Sequence, residues 1–354
     1  MTRAYFSVRS RALAALGALA TAASCGGNSP GISNPGTDSG TVLPDGRVIP
    51  PPPPPPGDGG TTTVTGRWMA VPTGTNADLY GVYGTSATEL LAVGAFVTRR
   101  YNGSAWSEGP SPSAGETRVT LRAIHGADGT AVAVGNTEPT AGSAKTGVPV
   151  FLRAMGMGLS PVMHNAAGVQ LHGIYFRSAM EGWAVGENGA FQWNGMRWTS
   201  TAMMGLRGSS PTPDLYAVWA SGPNDVRAVG NSVYRWDGTT WTAEPQPGSD
   251  FYFGIWGSGP SDVWIVGSGV ARRWNGTEWR DVRTGAQGRL LAIWGAAAND
   301  VWAVGEMGTI VHFDGARWTA IPSGTTQNLR ALWGRSASDI WAVGEMGACV
   351  RYTR

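Results

Sequence analysis

Three features of this sequence predict an all-β fold, a seven-bladed propeller of four-stranded blades. A unit of about 40 residues recurs seven times between residues 65 and 354. Each unit holds short runs of Val, Ile, Trp and Tyr, types that suit a pleated surface, in lengths too brief for helices. Gly and Asn/Asp-Gly turns separate the runs, and the composition agrees, with 53 glycines and 17 tryptophans in 354 residues.

Taken in order, residues 1–24 read as an export leader. Arg3, Arg9 and Arg11 form its positive segment, and Ala12 to Ala23 form an apolar run too short for a permanent membrane span. The run ends in Ala22-Ala23-Ser24-Cys25-Gly26, which resembles a bacterial lipobox with Ala22 where Leu is usual. The resemblance implies a diacylated Cys25 as the mature N-terminus, and Gly26 after it favours the outer membrane or cell surface. An ordinary cleaved signal would leave a periplasmic or secreted protein. Residues 25–64 are rich in Gly, Ser, Asn and Thr and carry prolines from Pro50 to Pro56, so they read as a disordered, extended tether.

Residues 65–72 read as a strand out of place. Gly66-Arg67-Trp68-Met69-Ala70-Val71-Pro72 matches Gly315 to Pro322, the outer strand of a later unit, whereas the seventh unit stops at Arg354 after its third strand. Pairing the two ends closes the ring and removes a bare sheet edge.

Within the units the first run is Leu-x-small-aliphatic-aromatic. Its copies are Leu79 to Tyr83, Leu121 to His125, Leu171 to Tyr175, Leu215 to Trp219, Tyr252 to Trp256, Leu290 to Trp294 and Leu329 to Trp333. The second run always ends in Val-Gly and is apolar on both faces, as a strand with neighbours above and below should be. The third run leads through Asn/Asp-Gly to Trp106, Trp198, Trp241, Trp279 or Trp318; that dipeptide predicts a two-residue type I′ hairpin. The second unit lacks the hairpin signal and carries an apparent insertion at 136–147. Asp225, Asp262, Asp300 and Asp339 recur before the second run and read as turn formers. Trp219, Trp256, Trp294 and Trp333 read as packing between blades.

The units resemble the repeats of secreted bacterial propellers of the sialidase-repeat (Asp-box) and photosystem-assembly-factor types, through Val-Trp-Ala-Val-Gly followed by a turn and Trp. Ala316 to Pro322 also resembles a tectonin-type lectin repeat. These resemblances imply the fold, and binding or envelope assembly as function. Asp237-Gly238 and Asp314-Gly315 depart from the Asp-box spacing, which separates them from sialidase chemistry.

The charge pattern excludes nucleic acid as a partner. Without the three leader arginines the 26 basic residues fall one short of the 24 acidic ones, so no basic face can neutralise phosphates. Cys25 and Cys349 cannot form a disulfide framework, and Cys349 falls on an apolar strand position. His125, His164, His172 and His312 lack partners at metal-ligand spacing, so neither a metal nor another cofactor is expected. No set of side chains outside the repeat pattern reads as catalytic.

Function should sit where the repeats differ. The clearest such position is the second residue of each first run: Tyr80, Arg122, His172, Tyr216, Phe253, Leu291 and Arg330. If these starts lie at one mouth of a central channel, they present aromatic, cationic and imidazole groups to a ligand. The longest loop at that mouth, Thr199 to Asp214, adds Met203, Met204 and Arg207 as an adaptable surface. The sequence thus predicts a monomeric, membrane-tethered, non-catalytic module that binds a protein or a glycan. A glycan-acting hydrolase or lyase and an envelope assembly factor are the other readings. Replacing the acyl acceptor tests the tether: Cys25→Ser is expected to move the protein from the membrane fraction to the soluble one on fractionation.

Overall fold

A computed structural model describes residues 41–42, 48–49 and 65–354, except 115–116, 139–146, 156–157, 165–168, 188, 202, 204–212 and 249. The leader, Cys25, Met204 and Arg207 lie outside the described residues, as does most of the tether. The chain divides into units at 1–51 and 52–354. In the first, Thr41–Val42 pairs antiparallel with Val48–Ile49.

The second unit is an all-β propeller of seven antiparallel sheets, six with four strands and the second with five. From the axis outward, the strands of blade 6 are Leu290–Ala297, Asp300–Gly305, Ile310–Phe313 and Trp318–Ala320. The other blades follow the same order. First strands of successive blades touch in a closed cycle, which makes them innermost. Blade 7 contributes Leu329–Ser336, Asp339–Gly344 and Cys349–Thr353, and Arg67–Ala70 completes it, with Trp68 opposite Tyr352 and Ala70 opposite Val350. The expected closure is therefore present, and Val71 N–H extends it to the Cys349 carbonyl at 2.9 Å.

Blade 2 is the irregular one. Its second strand, Thr130–Thr137, absorbs the first two residues of the expected insertion. Asn136 is buried and ties blade 2 to blade 3: its Nδ2 donates to the Val169 carbonyl at 3.0 Å and its Oδ1 accepts from Leu171 N–H at 2.9 Å. The fifth strand is the two-residue pairing of Ser113–Ala114 with Thr117 and Arg118.

The invariant Val-Gly has a steric cause. In all seven blades a Cβ on this glycine would lie 1.6–2.0 Å from the carbonyl oxygen of the residue preceding the first-run Leu or Tyr, for example Asp214 for Gly230. Only glycine lets the first two strands approach this closely. The first strand yields beside the contact by a β-bulge, which skips its second residue in every blade: Tyr80, Arg122, His172, Tyr216, Phe253, Leu291 and Arg330 drop out of register.

Two tryptophan sets join the blades. Trp219, Trp256, Trp294 and Trp333 each lie over a glycine of the next first strand, Gly257, Gly295, Gly334 and Gly84, where a Cβ would collide with the indole. They pack between blades as expected, yet all but Trp219 stay half-buried. The fully buried set is on the second strands: Trp183, Trp264, Trp302 and Trp341. Each meets two aromatic rings of the following blade's outer strands at centroid distances of 4.8–5.8 Å. In blade 4 Arg227 takes this place, buried over the Trp274 ring and bonded through Nε to Glu244 at 3.1 Å.

Two sequence expectations need correction. The Asn/Asp-Gly hairpins are four-residue loops, since Tyr101 pairs with Trp106 and Phe313 with Trp318. Only the glycine takes a positive φ, 88–102°, whereas a type I′ turn needs two such residues. The Asn or Asp side chain closes the loop instead, its Oδ1 accepting the N–H groups two and three residues on, as Asp314 does from Ala316 and Arg317. Asp225, Asp262, Asp300 and Asp339 do more than the expected turn role: Asp225 and Asp262 accept from Ser221 and Ser258 across the first hairpin, without an Asx turn. Each reaches across to a third-strand cation or imidazole: Arg235 (2.9 Å), Arg273 (2.6 Å), His312 (2.8 Å) and Arg351 (2.8 Å). The second strand lies beside the third, so its first residue faces the third strand's side chains.

The strand contact predicts a contrast within blade 4. Gly230→Ala must push the Asp214 carbonyl away and is expected to cost about 1–3 kcal/mol in denaturant unfolding. Gly222→Ala, with nothing within 4 Å of its Cβ, should stay within about 0.5 kcal/mol of wild type.

Candidate functional site

Six of the seven bulge residues form a belt of two contact chains at the same end of the innermost strands. The Arg330 and Arg122 guanidiniums lie 5.7 and 5.5 Å from the Tyr80 ring centroid. His172 stacks on Tyr216 at 5.2 Å, and Tyr216 meets Phe253 edge-on at 5.4 Å. Arg289, just before the first strand of blade 6, lies 5.9 Å from Phe253. The structure thus brings together Tyr80, Arg122, His172, Tyr216, Phe253 and Arg330; Arg122 and Arg330 are exposed, the others half-buried. Met203 is not part of this surface. Its side chain is 2% exposed and packs with Trp183, Leu215 and Val218, because an apolar side chain on a loop crossing between blades gains more from burial than from solvent.

Acidic side chains hold both tyrosines, Arg330 and the neighbouring Arg289. Asp78 and Asp214 accept hydrogen bonds from the Tyr80 and Tyr216 hydroxyls at 3.4 and 2.9 Å. Burial and the Asp214 hydrogen bond push the Tyr216 phenol up to about 12, so it remains a donor. Glu345 pairs with Arg330, and Glu306 pairs with Arg289 through Nε at 2.7 Å. That pairing, reinforced by Arg289 N–H, holds the Glu306 carboxyl below its usual range.

Glu187 differs from Glu306 and Glu345. All three follow Val-Gly in their blades, but Glu187 meets His172 and Asp214: His172 Nε2 lies 3.9 Å from Glu187 Oε1 and 4.0 Å from Asp214 Oδ1. The ligand-capable atoms of the three all lie within 4.8 Å of one another. Burial and the Asp214 charge raise the Glu187 carboxyl. Burial, then the Arg122 charge, lowers His172 to about 4, leaving a neutral imidazole. The expectation that no histidine has metal-ligand partners therefore fails for His172. Its partners come from a strand-end turn and from the neighbouring blade, which sequence spacing does not reveal. Glu187 and Asp214 are the residues sequence reading missed, and the available signal was their shared place after Val-Gly and before the Leu strand.

A rim of apolar side chains stands beside the belt on blades 1, 6 and 7. Phe96, Met307 and Met346 occupy second-to-third-strand turns, 40–61% exposed, with φ of 53–59°. Left-handed backbone is costly for such residues and collects at functional sites. Asn328 and Asp78 hold two of these turns, accepting from Met307 and Met346 N–H at 2.9 and 3.0 Å. The repeated Gly-Glu-Met-Gly at 305–308 and 344–347 was the sequence signal for this rim. Next to Met307 lies a groove of about 720 Å³ that is also lined by Gln287, Ser323, Thr325 and Gln327.

A second tier lies deeper. His125 sits between Tyr83 and Tyr175 at 5.3 and 5.0 Å, and Tyr83 meets Trp333 at 5.8 Å. His125 Nδ1 accepts the Phe176 N–H at 3.0 Å, and burial lowers its pKa to about 4.

No family model matches this chain, and no curated protein matches it. The fold is similar to solved structures. They include YCF48 from Cyanidioschyzon merolae (TM-score 0.63, 15% identity, covering 81% of this chain and 99% of that one). A structure of YCF48 bound to D1 peptide has TM-score 0.64, 14% identity and coverage of 81% and 97%. Catalytically inactive virginiamycin B lyase from Staphylococcus aureus with quinupristin has TM-score 0.65, 14% identity and coverage of 82% and 99%. At these identities the likeness is one of fold.

The neutral histidines predict acid sensitivity. Their folded pKa values lie below the unfolded value near 6.5, so between about 6.5 and 4 the unfolded chain binds protons that the folded chain refuses. Stability is therefore complete above about pH 6.5 and is expected to fall as pH drops toward 4. His125→Gln, which keeps an acceptor for Phe176 N–H, should shallow the fall in melting temperature over that window.

Proposed function

We propose that this protein is a non-catalytic binding module, tethered to the cell envelope through Cys25, that takes a segment of a protein partner at the belt-lined mouth. The belt carries this reading. It sets aromatic faces beside guanidiniums, an arrangement that suits aromatic, acidic or sugar groups, and acidic partners hold Tyr80, Tyr216 and Arg330 in place before a ligand arrives. The exposed Phe96, Met307 and Met346 favour a protein segment over a glycan, since apolar knobs around a polar centre gain from desolvation. The neighbour bound to D1 peptide supports peptide capture by this fold.

A second reading, a lyase or hydrolase, is favoured by the His172–Glu187–Asp214 group and by the virginiamycin B lyase neighbour. Binding and turnover separate the two. Captured partners from envelope extracts and a glycan array identify the ligand. Tyr216→Ala and Arg122→Ala are each expected to weaken binding about tenfold or more, roughly 1.4 kcal/mol or above. Full affinity in the double variant removes the belt from the account. Turnover of a glycoside panel that is lost in Glu187→Gln would replace the non-catalytic reading with the enzymatic one.

A further inference from the structure

Seven-fold repetition supplies an internal control at the position after Val-Gly. In blades 6 and 7 this residue is Glu306 or Glu345, and each is neutralised by an arginine of the mouth. In blade 3 it is Glu187, which faces a second carboxylate, Asp214, across an antiparallel bridge, with the His172 imidazole beside both. Two carboxylates against the nearby Arg122 leave the group one negative charge in excess. Asp214 is half-held: Tyr216 bonds its Oδ2 at 2.9 Å, whereas its Oδ1 is shut from solvent and accepts no hydrogen bond among the described residues. A carboxylate oxygen so placed costs free energy unless something cationic completes it.

We propose that His172 Nε2, Glu187 and Asp214 Oδ1 bind a divalent transition-metal ion of the Zn²⁺ class at the channel mouth. The imidazole–carboxylate set selects such ions over Mg²⁺ and Ca²⁺, which prefer oxygen alone. The His172 imidazole places Nε2 beside both carboxylates, where it can serve as the nitrogen ligand. Tyr216 fixes the orientation of Asp214 from behind, the usual task of an outer-sphere partner, while stacking on His172. Metal–ligand bonds of about 2.0–2.2 Å require ligand atoms roughly 3.0–3.5 Å apart. The observed separations, 3.9 and 4.0 Å from His172 and up to 4.8 Å within the group, close to that by inward shifts of both carboxylates, Glu187 and Asp214, whose side chains are 44% and 35% exposed. Three protein ligands leave positions on the ion open toward the mouth. The site stands whether or not the belt takes a protein segment.

Titration of the purified full chain with ZnCl₂, in a Cys25→Ser background that removes the leader thiol, tests this directly. One ion per chain is expected, with Mg²⁺ in excess failing to displace it, and Co²⁺ should give visible ligand-field bands. His172→Gln and Glu187→Gln should each weaken Zn²⁺ binding at least tenfold, whereas His164→Gln, at an exposed histidine elsewhere, should not. Glu187→Gln keeps the test valid should His172→Gln unfold, because Glu187 is half-exposed and its loss costs little packing. Absence of Zn²⁺ binding at millimolar concentration, or binding unchanged in Glu187→Gln, overturns the proposal.

Discussion

Much of this molecule follows from one close approach. In each blade the Val-Gly glycine lies under the carbonyl that precedes the innermost strand, at a distance no side chain allows. The N–H of the residue after that glycine then bonds the same carbonyl, as Glu306 does to Arg289 at 3.0 Å and Glu345 to Asn328 at 3.0 Å. The bulge beside this contact turns one side chain per blade out of the ladder. The scaffold and the belt are therefore products of the same contact. Strands locked this tightly hold their bulged residues in place, and the belt inherits that rigidity.

Blade-to-blade cohesion rests on a second repeated device, the second-strand tryptophan against the next blade's outer aromatics. Blade 4 shows what the device tolerates. Arg227 fills the same space with a guanidinium over Trp274 and binds Glu244, which also accepts from Trp279 Nε1 at 3.1 Å. A buried charge survives there because carboxylates pair it, an arrangement that seldom improves on an apolar contact. The ring needs all its interfaces at once, and the N-terminal strand Arg67–Ala70 supplies the last sheet edge.

Departures from the repeat, by contrast, gather at the mouth. Blades 3 and 4 place an imidazole and two carboxylates together, whereas blades 6, 7 and 1 raise apolar knobs on strained turns. These arcs share one mouth, one electrostatic and one hydrophobic. The similar solved structures share this fold at 14–15% identity, so the architecture tolerates wide change in side chains.

The sequence by itself determined the architecture. Seven Leu-led runs, seven Val-Gly pairs and a strand misplaced at residues 65–72 suffice, because each reports a local steric demand that recurs in register. It also located the belt position, since a residue that varies inside an otherwise constant strand stands out from its repeats. The sequence did not determine what the belt residues meet. His172 has no ligand partner within its own strand, Asp214 ends a loop of the next blade, and Met203 reads as surface until Trp183 and Leu215 cover it. Nor does Asp-Gly show whether a hairpin has two residues or four, because an Asx side chain and a positive φ can each close the turn. Contacts between blades join residues some 40 positions apart, and only the closure of the ring decided which of them touch.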